Sequence, residues 1–404
     1  MIESSALTAS APSEKERASR YVKIKAEMRR RQIDCLIITG YSGRWNMMNA
    51  NVRYVSNYSD NLSTASFLVF PLEGDGTYVT QMMVKRSLAT TSWVKDIRPR
   101  GTGNAAVLIE RIKKLGLQEG HIGLVGAGYM NGDIVGMPYN VYLELAKEFP
   151  KAKFTDDTDI FTTLRYVKSE EELELMKLST EVCDEAFKDM LPFTKPGVRE
   201  NEWFAQLQKV IYDLGAEQPF FIIGTSGQLP AKEPEFFKND VIFTSRVLKQ
   251  GDVILSEFSP SVHGYMAQSL QLISLGKAHP DVVSAVECSL EVYNRLIGEL
   301  KAGNTLGNFM KTARKMAEEY RGVMGDNIQA LTPIVHGVGL MAPEPTLREG
   351  DSFEFKPGMV MMLELGPPSQ KPAYTWLGTP FVITEGAPRS LTKIPFDERA
   401  LAVV

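Results

Sequence analysis

Cysteine is scarce in this sequence, and the three that occur are far apart. Cys35, Cys183 and Cys288 each lie in an apolar context within a chain of 404 residues. Neither a disulfide framework nor a cysteine-based zinc site is therefore indicated. No apolar run approaches the ~20 residues that a membrane-spanning helix needs. The net charge of -4 gives no support to a nucleic-acid partner. We expect no membrane partner and no nucleic-acid partner.

Targeting and phosphate-binding signals are also missing. The N-terminus, MIESSALTASAPSEKERASR, is polar and has no basic segment followed by an apolar block, so it does not predict a signal peptide. The expected location is the cytoplasm. The segment GTGNAA at 101–106 has neither the Lys-Ser/Thr of a P-loop nor a dinucleotide-binding fingerprint.

The first part of the chain alternates strand-like and helix-like segments. A helical pattern at 14–32 precedes the buried-strand pattern CLIITG at 35–40, and HIGLVG at 121–126 follows further along. Further helices are predicted near 104–115 and 138–148. This alternation predicts an α/β domain, and we place it at residues 1–160.

The second part, residues 161–404, opens with a strong helix signal. Ser169 and Glu172 have the spacing of a capping box, and apolar residues then recur at helical intervals. Further along, LSEFSPSVHGYMAQSLQLISLG at 255–276 alternates apolar and polar residues after a Gly-Asp turn. This pattern predicts a β-hairpin whose inward positions include Glu257, Tyr265 and Gln268.

Six motifs in the second part occur in a recognisable order. They are LRYVKSEEELELMKLSTEVCDEAF, KPGVRENEW, LKQGDVILSEFSPSVHGYMAQSLQL, HGVGL, FKPGMVMMLELGP and FVITEGAPRSLT. In this order they resemble the creatinase/aminopeptidase P family. The resemblance implies an α/β (α+β) protein with a creatinase-type N-terminal α/β domain and a C-terminal pita-bread catalytic domain.

The resemblance also implies where metal ligands would lie, and this sequence departs from that pattern. Metallopeptidases of the family hold two divalent metals with two Asp, one His and two Glu. The corresponding positions here are Glu257, Gln268, His336, Glu364 and Gly378. One acid is lengthened, one is replaced by a neutral amide and one is deleted, and too few carboxylates remain to balance two cations. We therefore expect no metal ligands and no cofactor. The alternative that the sequence leaves open is a single ion held by Glu257, His336 and Glu364.

What remains is a titratable cluster that could act directly on a small substrate. The expected catalytic residues are His336, Glu364 and Glu257, because two carboxylates next to an imidazole suit general acid-base chemistry. Tyr265, Gln268 and Asp240 are expected to bind substrate, with Asp240 near the position of the catalytic histidine in creatinase.

The function inferred from this cluster is a metal-independent, creatinase-like hydrolase. It would cleave a C–N bond of a small polar molecule that is cationic or of the amide or guanidine type. Leu270 occupies the position of a guanidinium-binding glutamate in creatinase, which argues against creatine itself. The alternatives are a metal-dependent Xaa-Pro aminopeptidase-like peptidase, a lyase or decarboxylase, and an inactive pita-bread binding module.

The family resemblance further implies a homodimer. In members with this layout, the N-terminal domain of one chain commonly covers the cavity of the other. The segment RWNMMNANVRYVSNYSDN at 44–61 is a candidate for that contact. Within it, Trp45, Arg53 and Tyr58 are expected to reach the small-molecule substrate.

Overall fold

The computed structural model describes most of the chain. The described residues are 5–41, 49–59, 65–81, 85–101, 105–127, 136–217, 219, 222–229, 244–325, 331–344, 352–366 and 375–404. They form two compact units, one of Ser10–Tyr166 and one of Met1–Ala9 with Val167–Val404. Among these described residues, no helix is both long and apolar enough to cross a membrane.

The unit of residues 10–166 is built on a six-stranded mixed sheet. Its strands are β1 (Cys35–Tyr41), β2 (Ala65–Pro71), β3 (Thr77–Thr80), β4 (Asp96–Pro99), β5 (His121–Val125) and β6 (Lys153–Asp156). Their order is β4-β3-β2-β1-β5-β6. Strand β1 runs antiparallel to β2 and parallel to β5, so the α/β class predicted for this region is confirmed.

Six helices accompany this sheet in the described residues. They are α1 (Glu14–Arg31), α2 (Ala50–Ser56), α3 (Lys85–Thr91), α4 (Ala106–Lys114), α5 (Tyr139–Glu148) and α6 (Thr158–Tyr166). Helix α1 begins where the Ser13 side chain accepts a hydrogen bond from the Glu16 N–H, and it ends at Gln32, which is left-handed. Residues of β1, α4 and α5 share one hydrophobic core.

The unit of residues 167–404 is built on an eight-stranded sheet. The strands of this unit are β7 (Ile222–Gln228), β8 (Asp252–Phe258), β9 (Ser261–Val262), β10 (Tyr265–Met266), β11 (Ser269–Ser274), β12 (Ile334–Gly337), β13 (Val360–Leu365), β14 (Leu377–Val382), β15 (Arg389–Ser390) and β16 (Ala402–Val403). The main path of the eight-stranded sheet is β12-β13-β14-β11-β8-β7, with β15 beside β14 and β16 beside β11. Strands β9 and β10 form a separate two-stranded hairpin.

The helices of this unit begin with the one predicted from the capping box. They are α7 (Glu170–Met190), α8 (Glu200–Asp213), α9 (Pro280–Ile297), α10 (Leu306–Glu318), α11 (Arg321–Met324) and α12 (Phe396–Ala400). Both reciprocal bonds of the box are present: the Ser169 side chain accepts from the Glu172 N–H, and Glu172 accepts from the Ser169 N–H. The local sequence therefore determines where α7 starts.

The segment after β15 is tied to the central strand β11. Strand β16 pairs in parallel with β11. The buried Arg399 guanidinium donates to Asp184 on α7 and to Ser269 at the start of β11. Asp184 also accepts a hydrogen bond of 2.6 Å from the Thr392 hydroxyl. This network anchors residues 392–403 against the strand that follows Gln268.

One row of residues crosses the middle of this sheet. Glu364 on β13 is opposite Gly378 on β14, Gly378 is opposite Leu270 on β11, and Leu270 is opposite Glu257 on β8. Directly opposed residues of antiparallel strands project from the same face. Glu364 and Glu257 therefore project from one face, with a glycine and a leucine between them.

Candidate active site

A histidine and a glutamate form a buried pair on adjacent strands. His336 on β12 is opposite Met362 on β13, and Glu364 lies two residues further on, so His336 and Glu364 share a face. The His336 Nε2 lies 2.9 Å from Glu364 Oε1, and Nδ1 lies 3.1 Å from the Gly337 carbonyl oxygen. Both ring nitrogens face oxygen acceptors, so a protonated ring can donate from both and a neutral ring from one.

A second buried acid on the same face is held by an amide. Glu257 is 4% exposed and Gln268 is 3% exposed, and Gln268 Nε2 donates to Glu257 Oε1 at 2.8 Å. Burial raises the pKa of Glu257 well above its ordinary value, and the charge of Glu364 raises it further. The hydrogen bond from Gln268 acts in the opposite direction. We call Glu257, Gln268, His336 and Glu364 the central cluster.

Gly378 leaves the space that the side chain of Glu364 occupies. A Cβ at position 378 would lie 2.8 Å from the Leu363 carbonyl oxygen and 3.1 Å from Glu364 Cγ. Carbon atoms do not approach a neighbouring backbone oxygen this closely without a shift of the chain. The absence of a side chain at 378 is therefore a packing requirement of Glu364.

The central cluster does not fit a two-metal centre. Gln268 is neutral, and Gly378 has neither a donor atom nor room for one. In the part of the chain that the structure describes, no three His, Cys, Asp or Glu side chains are grouped so that they could hold a metal ion. A dinuclear site needs several carboxylates to offset two divalent cations, and the donor set present here is too small.

The hydroxyl of Tyr265 contacts a glutamate of α7. It donates to Glu172 Oε1 at 2.7 Å, so it contacts the acid that caps α7. The ring is 2% exposed. The alternation of the hairpin predicted an inward side chain, and the short β9–β10 hairpin directs Tyr265 towards α7. The structure gives Tyr265 a contact with the acid that caps α7, and its expected role in substrate binding stays a prediction.

The remaining expected substrate-binding residues are placed as follows. Arg53 on α2 and Tyr58 just after it are buried inside the unit of residues 10–166, at 7% and 6% exposure. Their expected contact with a partner's cavity thus stays a prediction. Trp45 and Asp240 lie outside the described residues.

One buried acid near the cluster was missed by the sequence reasoning. Glu344 is 6% exposed, and its N–H donates to the Gly337 carbonyl oxygen at 2.9 Å. The same carbonyl faces His336 Nδ1. The signal available in the sequence was an acid directly after Pro343, in the segment that follows HGVGL.

Comparisons with known proteins agree with the two-part layout. The model of the family described as metallopeptidase family M24 matches residues 174–380. The model described as the creatinase/prolidase N-terminal domain matches residues 20–167. Together they confirm the resemblance to the creatinase/aminopeptidase P family and the fold that it implied.

Several proteins with similar sequences or structures are named as dipeptidases or prolidases. The chain is 27% identical to a Xaa-Pro dipeptidase of Pyrococcus furiosus over 249 residues. This alignment covers 61% of this chain and 67% of the relative. It is 23% identical to a Xaa-Pro dipeptidase of Pyrococcus horikoshii over 86% of this chain and 98% of the relative. The structure of a prolidase from Thermococcus sibiricus aligns with a TM-score of 0.77 at 18% identity, over 97% of this chain and 100% of that one.

The inference of a metal-independent, creatinase-like hydrolase is contradicted by these findings. The matching family is one of metallopeptidases, and the relatives are Xaa-Pro dipeptidases. They support a hydrolase and favour the peptidase alternative. The inference rested on the five metal-ligand positions, whereas the match to the metallopeptidase family extends over residues 174–380.

Proposed function

Since the chain belongs to metallopeptidase family M24, we propose that it is a hydrolase that cleaves the amide bond of a short peptide at the central cluster. The observation that carries this proposal is the buried His336–Glu364 pair at 2.9 Å, on the same sheet face as Glu257. The names of the relatives support Xaa-Pro dipeptides as the substrate class.

The chemistry available to this chain's side chains is proton transfer. Hydrolysis adds water across the C–N bond, so one proton must leave the attacking water and one must reach the departing amine. The His336–Glu364 pair shares a hydrogen bond and can move a proton as one unit. The buried Glu257, whose raised pKa favours its protonated form, can donate a hydrogen bond to the carbonyl oxygen that gains charge.

The family is described as one of metallopeptidases, which implies a bound metal. The side chains of the central cluster provide too few donor atoms for us to assign a reaction step to such a metal. The central cluster lacks the ligands of a dinuclear centre. The steps above are therefore those that the side chains themselves perform. The assay that tests the proposal includes metal as a variable.

The test is a hydrolysis assay with a panel of dipeptides that includes Xaa-Pro members. Each is measured as purified, after chelation, and with Mn, Co or Zn added. We expect cleavage of Xaa-Pro dipeptides by the wild type. His336→Ala and Glu364→Gln should each lower kcat/KM by ~10²-fold or more, the scale of general acid-base groups.

The matched control is His279→Asn. His279 caps α9 from an exposed position, with its side chain accepting from the Asp281 N–H, and asparagine can keep that cap. This variant should retain wild-type activity. Absence of dipeptide cleavage by the wild type under every metal condition would overturn the proposal.

Two further predictions concern the oligomeric state of the protein and its location in the cell. The first is a homodimer, which the family resemblance supports and which light scattering at micromolar concentration tests. The second is a cytoplasmic location, which cell fractionation tests. A monomer, or a secreted protein, would contradict the respective prediction.

A further inference from the structure

The unit of residues 10–166 contains a small cleft of its own. The cleft lies between helix α1 and the turn that joins β2 to β3, and its volume is about 210 Å³. The residues that line it include Arg17, Ala18, Tyr21 and Lys25 of α1, Phe70 of β2 and Asp75 of the turn. Pockets for drug-sized ligands measure ~300–1,000 Å³, so this cleft suits a smaller molecule.

Two aromatic rings provide the apolar surface of the cleft. The ring centroids of Tyr21 and Phe70 are 5.0 Å apart, and their planes are inclined at 80°, which is an edge-to-face contact. The Tyr21 hydroxyl donates to the Val55 carbonyl oxygen at 2.9 Å, and burial raises its pKa, so it stays neutral. Because this hydroxyl is engaged within the protein, Tyr21 presents its ring to the cleft, where an apolar group can pack.

Two cations stand over these rings from the helix side. The Lys25 Nζ lies 5.8 Å from the centroid of the Phe70 ring, and the guanidinium carbon of Arg17 lies 5.8 Å from the centroid of the Tyr21 ring. Arg17 also pairs with Glu14 at 2.8 Å, but a guanidinium group has further N–H donors. Lys25 has no ion-pair partner among the residues that the structure describes. An anionic group of a ligand can therefore bind on this side.

An acid stands on the opposite side, in the turn. Arg111 donates to the backbone carbonyl oxygen of Asp75 at 2.9 Å, which fixes the turn and leaves the carboxylate to the solvent. Within the described part of the chain, this carboxylate has no ion-pair partner. Burial has the largest effect on the pKa of Tyr21, and the charges of Arg17 and Asp75 shift that pKa in opposite directions. Both charges therefore lie near the same ring.

A zwitterion with an apolar side chain matches these three features. We propose that the cleft binds a free α-amino acid with an apolar side chain. Its carboxylate contacts Lys25 and Arg17, and its ammonium group contacts Asp75. Its side chain packs against the rings of Tyr21 and Phe70. A simple anion would leave the acid of the turn unused, and a simple amine would leave the cations of the helix unused.

This binding does not depend on the proposed peptidase function, because it is measured without a reaction. Calorimetric titration of the full-length protein compares L-phenylalanine with 3-phenylpropionate, which lacks the ammonium group, and with 2-phenylethylamine, which lacks the carboxylate. We expect L-phenylalanine to bind with a Kd of ~2 mM or tighter, the scale that an ordinary ligand efficiency gives for about a dozen non-hydrogen atoms. Each analogue should bind ~3-fold or more weakly, within the range of exposed ion pairs.

Charge-removing variants assign each end of the ligand to its partner. Lys25→Met should weaken L-phenylalanine by ~3- to 5-fold and leave 2-phenylethylamine unchanged. Asp75→Asn should weaken L-phenylalanine to a similar extent and leave 3-phenylpropionate unchanged. The matched controls are Lys23→Met on the same helix and Glu73→Gln in the same turn, where Glu73 pairs with Arg29. Both controls should bind L-phenylalanine as the wild type does.

A space-filling variant tests the cleft itself. Ala18 lines the cleft from an exposed position of α1, so Ala18→Phe should fold and abolish binding. Ala26→Phe, at another exposed position of α1, is its control and should bind normally. The proposal is overturned if the wild type shows no saturable binding, if the three probes bind equally, or if folded Lys25→Met and Asp75→Asn bind as the wild type does. Binding that persists in Ala18→Phe would place the amino acid elsewhere and would also overturn it.

Discussion

Glu364 and Gly378 face each other across β13 and β14, and the Cγ of Glu364 lies 3.1 Å from the point where a side chain at 378 would begin. The observed position of the Glu364 side chain thus depends on the absence of a side chain at residue 378. A Cβ at 378 requires a shift at the Leu363 carbonyl and a movement of a few tenths of an ångström by the glutamate that holds His336.

Gly378→Ala is therefore expected to affect both stability and activity. The added methyl group overpacks the contact with Glu364 and the Leu363 carbonyl, which typically costs about 1–3 kcal/mol. Urea unfolding should show this loss, and dipeptide hydrolysis should fall with it. Gly322→Ala on α11 is the matched control, because a Cβ there meets nothing within 4 Å. That change should be stabilising by about 0.4–1 kcal/mol. Wild-type stability and activity in Gly378→Ala would contradict the packing argument.

Glu257→Gln should change how stability depends on pH. The pKa of Glu257 is raised above its ordinary value of 4.5 by burial and by Glu364. The folded state therefore holds a proton that the unfolded state releases. The stability linked to that proton is complete below 4.5 and is lost as pH rises through the raised pKa. The free energy of unfolding of wild type should thus fall relative to that of Glu257→Gln as pH rises above 4.5. Urea unfolding across this range measures it, and an opposite trend would refute the raised pKa.

Metal analysis should find fewer than two equivalents of divalent ion per chain at the central cluster. The donors needed for the second ion are replaced by Gln268 and Gly378. Elemental analysis after dialysis against Mn, Co or Zn gives the stoichiometry. Glu257→Gln is the control that removes a carboxylate of the cluster. Two equivalents in the wild type that are reduced in this variant would show that the cluster does hold a dinuclear centre.

Tyr265→Phe should lower stability more than activity. The change removes the hydrogen bond to Glu172, and a net loss of about 1–3 kcal/mol is expected for a buried bond to a carboxylate. Because this hydroxyl donates to Glu172 at the start of α7, KM for dipeptides should stay close to the wild-type value. Thermal unfolding and steady-state kinetics on the same preparation provide both values. A large rise in KM with unchanged stability would restore the substrate-binding role first expected for this residue.

The elements that local sequence determines were predictable. Helix α7 starts where Ser169 and Glu172 form their capping box, and the apolar run at 35–40 forms the buried strand β1. These features depend on neighbours in the chain, so pattern and spacing carry the information. The family resemblance predicted that His336 and Glu364 belong to one cluster, whereas their direct pairing on adjacent strands was not predicted.

What the sequence left undetermined depends on contacts between distant segments. The direction of Tyr265 is set by the small β9–β10 hairpin, which pairs with itself outside the main sheet. The environment of Gln268 and the packing of Glu364 over Gly378 depend on contacts between β8, β13, β14 and the residue just before β11. No spacing rule for a single segment encodes such contacts.

The anchoring of β11 by Arg399 and β16 has a consequence for how the chain acquires its site during synthesis. Strand β11 follows Gln268 directly, and its parallel neighbour comes from residues 402–403. During translation the ribosome releases the β8–β11 hairpin long before β16 exists. Until residues 399–403 emerge, the edge of β11 that pairs with β16 has no partner there, and Ser269 lacks the hydrogen bond from Arg399. Nascent chains that stop before Arg399 should therefore expose a strand edge that other chains can pair with.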